Sequence, residues 1–132
     1  MAALSPARKI AFDILAAVAR SNPHSDTLLH SHRVDKLSES DRNLATTLVL
    51  GALRWQLHLD ALINPLLAKP NARLDVEVRL ALRLGACQLR HLDRIPAHAA
   101  IDENVELTKH AGPTFAARMV NAVLSNLAAS AE

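Results

Sequence analysis

At 132 residues the chain has room for one domain with a real core and is short for two. Half of its residues are hydrophobic but only 2% are aromatic, and glycine numbers three, so leucine, alanine and valine must build the core, which favours helices over strands. A formal charge of +2 says little about a nucleic-acid partner as a total; where the charges sit matters more.

The first 20 residues form an amphipathic pattern and not a signal peptide. No apolar run reaches the roughly 18–20 residues of a membrane span. The single Cys87 excludes an internal disulfide and points to a reducing cytoplasm.

Ser5-Pro6 opens a first helix, a capping hydroxyl followed by proline at the first helical position. Ile10, Ile14, Leu15 and Val18 mark its apolar face to about Arg20. Asn22-Pro23 breaks the chain, and His24-Ser25-Asp26 starts a short second helix running to about Arg33. Ser38-Glu39-Ser40-Asp41 resembles a capping box with Asp in place of Glu. It opens a seam of Leu44, Leu48, Ala52, Trp55, Leu59, Leu62 and Leu66, which Pro65 should kink or end.

The stretch Leu74 to His98 is expected as one central helix stopped by Pro96. Asp75 and Glu77 complement its positive end. At about 100° per residue, Arg79, Arg83, Arg90 and Arg94 fall within one stripe about 60° wide. Val78, Ala81, Leu82, Gly85, Ala86, Leu89 and Leu92 take the other side, so this helix should hold the bundle together. A fifth helix presents Ile101, Val105 and Thr108, ends at Lys109-His110 and is stopped by Gly112 and Pro113. Thr114 is expected to cap the last helix, on which Phe115, Met119, Val120, Val123, Leu124 and Leu127 repeat. The expected fold is a six-helix, all-α single domain over 1–132.

Little in the sequence looks like an enzyme. His30 and His32, two apart on a helix, point about 200° from each other, and no zinc pattern is completed; solvated surface histidines are expected. Cys87 lies in an apolar helix and should pack in the core. Asp102, Glu103 and Glu106 are expected to cap or to pair, Glu106 with Lys109 or His110. Three glycines assemble no phosphate-cradling loop, so no cofactor is expected. The arginine stripe has two readings: a solvated face paired with acids such as Asp75, or a phosphate contact. Arg8, Lys9, Arg42, Arg54, Lys109 and Arg118 are further cations that folding could bring alongside. Trp55, Phe12 and Phe115 all fit apolar helix faces, so RNA binding would rest on charge and shape instead of base stacking.

LVLGALRWQLHLDALI (Leu48–Ile63), LRLGACQLRHLDRIPAHAAIDENVELTKH (Leu82–His110) and VNAVLSNLA (Val120–Ala128) resemble the NusB-like domain family over nearly the whole chain. The resemblance implies an RNA-binding, all-helical fold of six to seven helices in two packed three-helix bundles. It implies one of two settings. One is the free-standing transcription antitermination factor, which binds boxA RNA with a small ribosomal protein. The other is the N-terminal domain that precedes the S-adenosylmethionine-binding catalytic domain of rRNA cytosine-C5 methyltransferases. Gly51-Ala52-Leu53-Arg54, Leu82–Gly85 and Arg94–His98 are more similar to the second branch; Ser125 departs from an arginine common there. The methyltransferase cysteine pair and cofactor loop are absent from this chain, so it is expected to be non-catalytic. The expected RNA contacts are Arg8, Lys9, Arg54, Arg79, Arg83, Arg90, Arg94, Lys109 and Arg118. A protein-interaction module using an apolar strip near Pro65 is a further alternative.

Overall fold

The computed structural model describes residues 4–21, 32–69, 73–92 and 94–130. The described residues are helical: α1 (Pro6–Ser21), α2 (His32–Asp35), α3 (Glu39–Arg54), α4 (Gln56–Ile63), a 3-10 turn (Asn64–Leu66), α5 (Val76–His91), α6 (Ala97–Ala111) and α7 (Ala116–Ala129). No strand occurs among them. The helix expected from His24 to Arg33 lies largely outside the described residues.

Local chemistry sets several ends as expected. Ser5 Oγ lies 3.4 Å from the Arg8 amide at the start of α1, and Ser38 Oγ accepts from the Asp41 amide at 3.1 Å at the start of α3. The Gly112 amide closes α6 on the Thr108 carbonyl at 2.9 Å.

Two cores form, and α5 feeds both. Ile10, Ile14 and Leu15 of α1 meet Leu48 and Val49 of α3 and Leu107 of α6 in the first, joined by Leu80 and Leu84. Leu59 and Ile63 of α4 meet Val120, Val123 and Leu124 of α7 in the second, joined by Val78, Leu82, Ala86 and Cys87. Consecutive apolar positions of α5 thus face different cores, which is why the helix is apolar over so wide an arc. The arrangement is two packed helix bundles that share α5.

The expected seam from Leu44 to Leu66 divides in the same way. Leu44, Leu48 and Ala52 belong to the first core, and Trp55, Leu59, Leu62 and Leu66 to the second. The division falls at Trp55 and not first at Pro65: Trp55 leaves helical geometry at φ −104°, ψ 21° between α3 and α4. Gly51, one turn earlier, makes this bend possible. A Cβ there would lie 3.2 Å from the folded-back indole and 3.0 Å from Cys87 Sγ.

Two other boundaries differ from expectation. The central helix ends at His91, where Leu92 turns extended (φ −122°, ψ 105°) and packs on the first core, so Pro96 instead sets the start of α6. The last helix starts at Ala116 without a side-chain cap from Thr114, and Phe115 is 82% exposed instead of lying on the apolar face. Phe115 is the N-cap residue with helical dihedrals (φ −64°, ψ −24°), and helical phase groups it with exposed Arg118, Ala122 and Asn126 and not with buried Val120, Val123 and Leu124.

Candidate functional site

The four arginines of the expected stripe do not act as one surface. Arg83 donates to Asp60 twice, Nε to Oδ1 at 2.9 Å and Nη2 to Oδ2 at 2.8 Å. Arg79 donates to Asn64 Oδ1 at 2.7 Å and lies 3.6 Å from Asp60. Both side chains are 19% exposed, and they tie α5 to α4 and the 3-10 turn. The partner expected near them, Asp75, is the N-cap residue of α5 and makes no side-chain capping bond. Arg90 Nη2 reaches the Leu127 and Ser130 carbonyls at 3.3 Å each and Ser130 Oγ at 3.2 Å. A cation there complements the negative end of α7. Arg94 lies beyond the end of α5, off the stripe, and is exposed.

Arg8 is drawn inside. At 7% exposure its Nε donates to Gln88 at 2.8 Å and its Nη1 to Glu103 at 2.7 Å and Ser5 Oγ at 3.2 Å. Glu103 also accepts the Ser5 amide at 2.7 Å. This carboxylate therefore anchors α1 to α6, the pairing role expected for it. Lys9, half exposed, holds Asp13 at 2.8 Å.

Exposed cations remain at the two ends of α5. Near its start, where Gly112 approaches Glu77 and Val78, the α6–α7 corner carries Lys109, His110, Phe115 and Arg118, all exposed. Lys109 reaches Glu106 at 3.3 Å, and His110 Nδ1 lies 3.4 Å from the Glu106 carbonyl. Phe115 and Arg118, three apart, share one face of the first turn of α7. Phe115 and His110 were missed as site residues because the first was assigned to the core by its apolar character and the second to helix capping; at about 100° per residue Phe115 falls with Arg118 and Asn126, away from Val120 and Leu124, and that phase signals its exposure. On the adjoining face of α7, Ser125 is exposed and donates to Asn121 at 3.1 Å.

At the other end, His91 stacks on Trp55 with centroids 4.0 Å apart and planes 7° from parallel, and His58 meets His91 edge-on at 5.5 Å. Arg54 lies over the indole at 5.4 Å. His91 is thus not a solvated surface histidine. Its Nε2 is buried with no partner among the described residues, so stacking holds the ring. Burial, and secondarily the charge of His58, lowers its pKa below 6.5. Burial pushes the Cys87 thiol up to about 11. No three His, Cys, Asp or Glu side chains among the described residues are grouped to hold a metal ion.

The NusB family model matches residues 5–129. The chain belongs to the NusB family. Among NusB-family relatives, the ribosomal RNA small subunit methyltransferase B of Thermus thermophilus is 42% identical over 121 residues, covering 92% of this chain and 29% of that one. The transcription antitermination protein NusB of Lacticaseibacillus casei is 35% identical over 122 residues, covering 90% of this chain and 89% of that one. The crystal structure of antitermination factors NusB and NusE in complex with dsRNA matches with a TM-score of 0.82 at 26% identity, over 95% of each chain. This chain spans only 25–29% of the length of the methyltransferase relatives it matches. Its fold is that of NusB and not the S-adenosylmethionine-binding methyltransferase fold. No described helix is long and apolar enough to cross a membrane.

Proposed function

We propose that this chain is a non-catalytic RNA-binding domain of the antitermination type, one domain over 1–132. It acts on boxA-like RNA with a small ribosomal protein, in a reducing cytoplasm that keeps Cys87 a thiol. The observation that carries this reading is a likeness to the NusB of the NusB–NusE–dsRNA complex that spans both chains nearly end to end. The RNA contact is assigned to the α6–α7 corner. There Lys109 and Arg118 stand exposed beside Phe115, so phosphate attraction and a π-face for an unpaired base occur together. Arg79, Arg83, Arg90 and Arg8 support the site by fixing the helices around it, since their guanidinium groups are engaged by protein acceptors.

A second reading, the N-terminal domain of an rRNA methyltransferase, is favoured by the sequence identity to that branch. A cofactor-binding, cysteine-bearing domain encoded directly downstream would establish it.

The test is anisotropy of a labelled boxA-like RNA, with and without the ribosomal protein, from about 50 to about 200 mM salt. Binding that weakens as salt rises is expected, and absence of binding at the lowest salt contradicts the reading.

A further inference from the structure

We propose that the groove between α3 and the end of α5 is a second RNA contact, taking one unstacked nucleotide of a single strand. The inference rests on the RNA-binding reading and adds a site to it. The groove, about 530 Å³, is lined by Asn43, Leu44 and Thr47 of α3 and by His91, Arg94 and Ile95. That lies within the roughly 300–1,000 Å³ of small-ligand sites, enough for a nucleotide and too little for a duplex. It sits one length of α5 away from the α6–α7 corner, about 24 Å at 1.5 Å per residue, so the two contacts are physically separate.

The chemistry of the lining selects the occupant. None of the described lining residues is a carboxylate, and Arg94 is exposed. Asn43, Thr47, Leu50 and Arg54 fall within about 60° of one another on α3, and all four are exposed. Arg54 and Arg94 thus bring two positive charges to the groove and its rim, suited to the phosphodiester backbone. The side chains of Asn43 and Thr47 make no hydrogen bond to another described residue, which leaves an amide and a hydroxyl free for a base edge or a 2′-hydroxyl. Leu44 and Ile95 supply apolar surface, and the imidazole of the Trp55–His91 stack an aromatic flank, for a base removed from its own stack. An acidic peptide would use the arginines but would leave this neutral hydrogen-bonding row without a planar partner.

Trp55 is the single tryptophan and the chain has no tyrosine, so intrinsic emission reports this end of the molecule alone. Pentauridylate is titrated into the intact chain while Trp55 emission is followed, with anisotropy of the same labelled RNA in parallel. A saturable emission change is expected. It should weaken about tenfold in Arg94→Ala and in Asn43→Ala/Thr47→Val, and persist in Lys109→Ala/Arg118→Ala. These substitutions are all at exposed positions, and a thermal melt checks that each variant folds. Independently of any variant, a 4-thiouridine-substituted strand should crosslink to peptides containing Asn43–Thr47 or Arg94. RNA bound by anisotropy with no emission change and crosslinks only at the corner would overturn this inference and leave the RNA-binding reading standing. No RNA binding in either assay would overturn both. An emission change produced by hexaglutamate and not by pentauridylate would reassign the groove to an acidic protein segment.

Discussion

Arg83 on α5 grips Asp60 on α4 through two parallel hydrogen bonds of 2.8 and 2.9 Å, with Arg79 at 3.6 Å on the same carboxylate. One acid thus organises two arginines that the sequence alone leaves open as either an acid-paired face or a phosphate contact. The group is only one-fifth exposed, so it closes the second bundle along the α4–α5 contact. Replacing Asp60 by Ala should destabilise the chain by about 1–3 kcal/mol, because the largely buried Arg83 guanidinium loses both acceptors and Arg79, which keeps Asn64, loses its counter-charge. Arg83→Lys should recover little, since an ammonium cannot make the paired bonds. Urea denaturation of the variants measures both effects; a stability equal to wild type in Asp60→Ala would show the pair to be without structural weight.

The α5–α7 contact depends on a missing side chain. A Cβ at Gly85 would lie 2.5 Å from Leu124 Cδ1 and 3.2 Å from its Cγ, and Leu124 is fully buried. Gly85→Ala would gain up to about 1 kcal/mol of helix propensity but must push Leu124 off its position, an overpacking cost of about 1–3 kcal/mol. A net loss of about 1–2 kcal/mol is expected by chemical denaturation. Leu82→Ala, at a fully buried position of the same helix, should cost about 2–5 kcal/mol by leaving a cavity.

Stability should also fall with acid through His91. Its folded pKa lies below the ordinary 6.5, first because the ring is partly buried and second because of the charge of His58. Above pH 6.5 both folded and unfolded states are neutral at this residue. Below it the unfolded chain takes the proton more readily, so stability declines until the folded pKa is also passed, and then levels. Melting curves between pH 7.5 and 5 should show a shallower loss in His91→Phe than in wild type. An equal slope in the two would remove His91 from the account.

Cys87 should be silent in the folded chain. Its thiol is fully buried and its pKa is pushed up to about 11, so almost no thiolate exists at neutral pH. A thiol-reactive dye should label nothing in native conditions and one group per chain in denaturant. Fast native labelling would show that the α3–α5 packing around Gly51 opens readily.

The ends of α1, α3 and α6 were legible because each is set by neighbours in sequence: Ser5-Pro6, Ser38 with Asp41, and Lys109-His110-Gly112. The apolar seam was legible too, but its division at Trp55 was not. That bend depends on Gly51, Cys87 and His91, which meet only after α5 folds back. The arginine stripe is a correct statement about helical phase for Arg79, Arg83 and Arg90. What periodicity could not show was the acceptor of each: Asp60 and Asn64 on the preceding elements, and the carbonyl end of α7. Charge at the right spacing is common to a binding face and to a set of internal ties, and the two differ only in what stands opposite.

The most direct test compares two charge-removal variants by RNA anisotropy across a salt series, each checked for folding by its melt. In Lys109→Ala/Arg118→Ala, affinity for boxA-like RNA at low salt should drop by at least about tenfold, and the salt slope should fall by about 2. Arg79→Gln, whose guanidinium already has a protein acceptor, should keep the wild-type slope. A slope unchanged in the corner variant and reduced in Arg79→Gln would place the RNA on the α5 stripe and contradict the account.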